Sequence, residues 1–264
     1  MAIIKQLRNE GQTIMSLIIF PPTIDWSWMK QRPQQLMIQL ARRGHHVFFC
    51  NKTVIHQDVQ EIENNLFLVH DHQEWLSHSL PELRVIFDEK VGVWCTLSGH
   101  ASTVSVYSPD WVVYDCVDDF AEWLRYEQEM VMISDLIVCT SQRLYERLSR
   151  TYPHKPIALI RNGYDEDMNL HLVESHSSTL EEEVLCSDKK WVGYIGAWAP
   201  WVDELLIKRL SLIPEVEVIV IGPEFGKKFE SMGSCPNIHF LGLKPHHLLP
   251  GYISRLNICI IPFL

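Results

Sequence analysis

The chain is predicted to be an α/β protein of two Rossmann-like, doubly wound domains, the second incomplete. Three observations carry this. Short apolar runs alternate with stretches of helical periodicity, the pattern of parallel sheets covered by helices. The alternation occurs as two series separated by the polar, acidic stretch SHSSTLEEE at Ser175–Glu183. With 264 residues the chain exceeds one ordinary hydrophobic core. The expected boundaries are 1–164 for the first domain, 165–189 for a linker and 190–264 for the partial second domain.

Ser16–Phe20 is an apolar strand stopped by Pro21 and Pro22. A loop runs from Thr23 to Arg32. Pro33 suits a first helical position, Leu36, Met37, Leu40 and Ala41 recur at helical spacing, and Gly44 ends the helix. His46–Cys50, Leu66–Val69, Val91–Cys95 and Trp111–Tyr114 read as strands, with a helix over Glu74–Leu83. Ala121–Ile133 reads as a helix and Leu136–Cys139 as a strand. Ser141 is placed to cap a helix reaching about Tyr152, before a strand over Ile157–Ile160. The second series has strands at Trp191–Ile195, Val216–Ile221, Ile238–Leu241 and Ile258–Ile261. Helices are expected at Val202–Leu212 and His247–Leu256. A doubly wound domain normally continues past such a last strand, so the chain is expected to be truncated after Leu264.

Composition excludes several classes. The net charge is −10, and no basic stripe marks a nucleic-acid binder. The basic stretch Lys30–Arg43 is interrupted by apolar residues that suit a helix. Seven scattered cysteines, without a CxxC pair, read as buried thiols in a reducing compartment. No apolar run nears the ~20 residues of a membrane span, and no signal peptide is evident. The expected location is the cytoplasm, with association at the inner membrane face allowed. The sequence lacks GxGxxG, GxxxxGK[ST] and GxSxG, which argues against dinucleotide oxidoreductases, P-loop kinases and elbow hydrolases. His45-His46, His70-Asp71-His72 and His246-His247 do not form a metal spacing, so no metal site is expected.

Ligands of an open α/β sheet bind beyond the carboxyl ends of its strands. The loop with Trp26, Trp28, Lys30, Gln31, Arg32 and Gln34 lies there. It offers a helix N-terminus, two cations and aromatic faces; the plainer reading is a packed loop. Asp115, Asp118 and Asp119 crowd the end of the Trp111 strand, where one of the latter pair also suits a helix cap. Asn162-Gly163 is first a turn signal. Gly196, Trp198, Gly222 and Lys244 lie at strand ends of the second series, where glycine admits either a ligand or close packing.

The motifs WMKQRPQQL (Trp28–Leu36), YDCVDDFAEW (Tyr114–Trp123), SDLIVCTSQRLYERL (Ser134–Leu148) and IRNGYD (Ile160–Asp165) occur in this order. VGYIGAW (Val192–Trp198), VIVIGP (Val218–Pro223) and NIHFLGLKPHHLLPGYISRLNICIIPF (Asn237–Phe263) follow. Together they resemble the GT-B glycosyltransferases related to families 1 and 4, in particular the bacterial teichuronic acid biosynthesis group. The resemblance implies an active site between two Rossmann-like domains, with acceptor on the first and most of the nucleotide on the second. It implies a nucleotide diphosphate sugar as donor, a cell-envelope glycan or lipid-linked acceptor, no cofactor and retention of anomeric configuration. Arg32, Asp118 and Asp119 are the expected catalytic residues. Trp28, Lys30, Gln31, Gln34, Asn162, Gly196, Trp198, Gly222 and Lys244 are the expected substrate contacts. The chain departs from the pattern at Ala197–Asp203 (AWAPWVD), where related enzymes often carry Arg and Lys for the diphosphate. The glutamate motif that holds ribose and sugar would fall beyond Leu264. The alternatives are a nucleotide-sugar epimerase of the same fold and a non-catalytic sugar- or partner-binding module.

Overall fold

The computed structural model describes residues 15–87, 90–119, 121–164, 188–232 and 235–264. The chain divides into two compact units, Met1–Gly163 and Tyr164–Leu264. Most of the expected linker falls outside the described residues.

In the first unit β1 (Ser16–Phe20), β2 (His46–Cys50), β3 (Gln60–Glu63), β4 (Leu66–Val69), β5 (Lys90–Cys95), β6 (Trp111–Cys116), β7 (Leu136–Cys139) and β8 (Ile157–Leu159) form one sheet. Its order is β3-β4-β2-β1-β5-β6-β7-β8. All neighbours are parallel except β3, which pairs antiparallel with β4. Every residue of β1, β2 and β4 is buried, which is why they read as unbroken apolar runs. β3 reads QEIE and was not expected as a strand. Its polar side chains belong to an edge, where charge discourages pairing with another chain. The two-residue link Asn64-Asn65, with Asn65 at φ 64°, closes the hairpin.

Helix α1 (Arg32–Arg42) buries Pro33, Gln34, Met37 and Ala41. The expected Glu74–Leu83 helix is longer and interrupted. His72–Glu74 leads into a π turn at Trp75–Ser79, then α2 (Leu80–Ile86). Pro81 lacks an N–H and crowds the carbonyl four residues earlier, so a widened turn just before it is the physical outcome. A 3-10 helix over Ser98–Tyr107, unmarked by any periodicity in the sequence, follows β5. Helices α3 (Ala121–Ile133) and α4 (Gln142–Thr151) lie where expected, and Ser141 caps α4 by accepting from Leu144 N.

The second unit has a parallel sheet of β9 (Lys190–Ile195), β10 (Val216–Ile221), β11 (Ile238–Gly242) and β12 (Ile258–Cys259), in the order β11-β10-β9-β12. α5 (Glu204–Ser211) is capped by Asp203. The expected His247–Leu256 helix is instead a 3-10 turn at His246–Leu248 followed by the short α6 (Leu249–Ile253). β12 is shorter than expected, because Pro262 lacks a donor and the chain turns there to bridge Val202 with Phe263.

Candidate functional site

In the first unit's sheet the strand order reverses at β1, with β2 on one side and β5 on the other. That switch point opens a crevice at the strands' carboxyl ends. The loop from β1 to α1 enters it and is stapled from below. Trp26 N donates to Asn51 Oδ1 at 2.8 Å. Thr53 donates to Asp25 through N at 2.7 Å and Oγ1 at 2.6 Å. Burial raises the Asp25 pKa, but the hydrogen bonds from Thr53 and the Lys52 backbone outweigh it, and the carboxyl stays below its ordinary range. Trp26 packs edge-on against Phe49 at 5.1 Å, whereas Trp28 stays 39% exposed. Lys30 is half-buried.

At the start of α1, Gln31 N donates to Gln34 Oε1 at 3.0 Å and Gln34 Nε2 donates to Met29 O at 3.4 Å. Gln34 was expected to touch substrate. Its side chain is buried and its amide is occupied in closing the helix N-terminus.

Arg32 follows, its side chain only 8% exposed. Its Nε donates to Asp115 Oδ2 at 2.8 Å. Its Nη1 donates to Arg161 O at 3.3 Å and Asn162 Oδ1 at 3.2 Å. Trp94 Nε1 also donates to Asp115 Oδ2, at 3.1 Å. The ends of β5, β6 and β8 and the first turn of α1 thus converge on one ion pair. Burial pushes the Asp115 pKa up, opposed by Arg32 and Trp94. Arg32 and Asn162, far apart in sequence, are brought together. Asp115 was noticed in the sequence only as part of an acidic turn. The signal was stronger than that: a carboxylate inside the apolar run WVVYDC must be buried and therefore paired.

The two other carboxylates of that turn diverge. Asp118 is exposed, yet surrounding protein desolvates its carboxyl enough to raise its pKa. Asp119 lies 3.2 Å from Arg147 Nε and 3.6 Å from Arg143 Nη2. Arg147 also holds buried Glu127 through two parallel bonds, at 2.8 and 2.6 Å. Asp119 is therefore tied to α4. Two histidines, His100 and His72, are engaged near the strand ends. His100 Nε2 is 3.2 Å from Thr23 Oγ1, and His72 Nε2 is 2.8 Å from Tyr107 Oη. Burial lowers both pKa values, that of His72 to about 4.

In the second unit Gly196 and Gly222 meet. Gly222 has φ +152°, and a Cβ there would lie 1.9 Å from Gly196 O. Gly196 N donates to Ile221 O at 2.9 Å, and Trp198 N to Pro223 O at 2.8 Å. These glycines let two strand-end loops touch. Trp198, expected as a substrate contact, is fully buried against Phe229 in the unit's core. Lys244 is half-buried in the turn after β11. Among the described residues, no three His, Cys, Asp or Glu side chains are grouped to hold a metal ion. Nor is any described helix long and apolar enough to cross a membrane.

The Anabaena protein Alr3699/HepE, solved with UDP and glucose, superposes at TM-score 0.63 with 14% identity, over 93% of this chain and 73% of that one. OtsA, solved in its apo form, superposes at TM-score 0.59 with 8% identity, over 93% of this chain and 77% of that one. The chain has the GT-B fold. In sequence, 198 residues are 24% identical to a Bacillus subtilis (strain 168) protein named as the teichuronic acid biosynthesis glycosyltransferase TuaH. That match covers 66% of this chain, and the chain spans about half (49%) of the relative's length. No family model matches. The GT-B fold supplies the strand-end crevices in which the Arg32–Asp115 pair lies.

Proposed function

We propose that the protein is a glycosyltransferase. It moves a sugar from a nucleotide diphosphate sugar to a cell-envelope glycan or lipid-linked acceptor, with retention and without a cofactor. The observation that carries this is the GT-B fold over 93% of the chain, shared with a protein solved with UDP-glucose. The sequence kinship to TuaH points the same way and suggests the acceptor class. In this reading the first unit holds the acceptor and the second holds the nucleotide. The protein works in the cytoplasm, at the inner face of the membrane. Lys30 and the N-terminus of α1 favour the leaving diphosphate electrostatically. Asp118, exposed at the end of β6, contacts a sugar hydroxyl. Trp28 covers a sugar face, and Gln31, Asn162 and Lys244 line the path.

The test is a transfer assay with the full-length protein, a panel of radiolabelled UDP-, GDP- and dTDP-sugars, and bacterial envelope lipid extract as acceptor. Label moving into the extract is the expected result. Acceptor-free interconversion of the sugars would favour an epimerase. Donor binding without either reaction would favour a binding module. Each of these last two outcomes would refute the proposal.

A further inference from the structure

The Arg32–Asp115 pair carries an unusual residue of unmet hydrogen-bonding capacity. Arg32 Nη2 and Asp115 Oδ1 are both buried, and neither has a partner among the described residues. One is a donor and the other an acceptor. Buried polar atoms are nearly always satisfied, so a donor and an acceptor orphaned on one ion pair point to a missing group. The other atoms of the pair are occupied: Nε and Trp94 Nε1 share Oδ2, and Nη1 holds Arg161 O and Asn162 Oδ1. Asn162, which Nη1 holds, is exposed.

The chemistry of the missing group follows from what it must supply. It must accept from Nη2 and donate to Oδ1 at once. The diphosphate diester of a nucleotide sugar is fully ionised at neutral pH and offers acceptors only, and it would stand beside the Asp115 carboxylate. The arginine charge is also already balanced, at 2.8 Å, by that carboxylate. A hydroxyl both donates and accepts, is uncharged, and is the smallest such group a sugar offers to buried atoms. We infer that Arg32 and Asp115 form a sugar-hydroxyl recognition site rather than a diphosphate clamp. The word sugar rests on the glycosyltransferase reading above; the preference for a hydroxyl over a phosphate does not. Asp115 and Arg32 are then specificity residues, and the role first expected for Arg32 moves to other groups.

The hydroxyl belongs either to the donor sugar or to the acceptor sugar, and binding assays separate the two. Calorimetry on the full-length protein would compare UDP, inorganic pyrophosphate, UDP-glucose, UDP-galactose, UDP-glucuronic acid and UDP-N-acetylglucosamine. The methyl glycosides of the same sugars complete the set. Asp115→Asn is the first variant. Because it leaves buried Arg32 without its countercharge, the double variant Arg32→Met/Asp115→Leu, which removes both charges together, is read beside it. At least one sugar-bearing probe should lose about 10- to 100-fold in affinity, the usual weight of a hydrogen bond to a charged group. UDP and pyrophosphate should bind within about twofold of wild type. Loss of a UDP-sugar's advantage over UDP assigns the donor; loss of a methyl glycoside assigns the acceptor. Three results would overturn the inference. The first is variants that bind every sugar probe as wild type does, so that a water alone meets those atoms. The second is UDP and pyrophosphate weakening as much as the UDP-sugars. The third is a wild type that binds no sugar-bearing probe. Failure of the transfer assay, with hydroxyl-dependent binding still lost in the variants, would sink the glycosyltransferase reading and leave this one standing.

Discussion

Replacing Gly222 by alanine tests whether the glycines of the second unit hold the fold. The added Cβ would lie 1.9 Å from Gly196 O, 2.6 Å from Gly196 C and 3.4 Å from Ala197 N. All three are backbone atoms, so no side chain can swing aside. The two loops must part by about 1 Å to reach even a close contact. The bonds from Gly196 N to Ile221 O and from Trp198 N to Pro223 O, at 2.9 and 2.8 Å, cannot survive that movement. Together they are worth about 2 kcal/mol. Holding an L-residue at φ +152° costs about 1–3 kcal/mol more. The expected loss is therefore about 3–5 kcal/mol, confined to the second unit. Urea unfolding followed by tryptophan fluorescence reads it, since Trp191 and Trp198 are buried there. Gly163→Ala is the control, because its Cβ would meet nothing within 4 Å and its φ is not left-handed. It should change stability by no more than about 0.5 kcal/mol. A Gly222→Ala protein within about 1 kcal/mol of wild type would refute the packing argument.

Arg147→Met should destabilise the first unit by about 2–4 kcal/mol, because Glu127 is left buried without its two-bond partner; an unchanged urea midpoint would count against this. Asp203→Ala should cost about 1 kcal/mol by removing the α5 cap, and Asp203→Asn should recover most of it in the same measurement. His72 is held neutral to about pH 4 by burial and by neighbouring His100, against the pull of Asp71. Unfolded, it takes up a proton near its ordinary value of about 6.5. The unfolded chain therefore binds more protons between those values, and stability present above about pH 6.5 is lost as pH falls toward 4. After solvent screening this amounts to about 1–2 kcal/mol. His72→Gln should flatten that limb of a stability–pH curve, and an unaltered slope would refute the assignment.

The parts of the molecule legible in the sequence were those governed by local physics. β1, β2 and β4 are buried on both faces, so their apolar runs needed no context. Proline at the start of α1 and serine before α4 act within one turn of themselves. The polar edge strand β3 and the 3-10 stretch after β5 carry no such signature, because what holds them is a neighbouring strand or an unrelated surface. The candidate site divides the same way.

Sequence alone determined that this is an α/β chain of two sheet units, with Arg32 and the Asp115–Asp119 turn at strand ends. Tertiary structure decided what those groups face. It joined Arg32 to Asp115 and Asn162 across the sheet, tied Asp119 to Arg147, and buried Trp198 and Gln34. The physical reason is that periodicity and turn chemistry act over a few residues, whereas a buried charge takes as its partner whatever residue the strand order brings within about 3 Å.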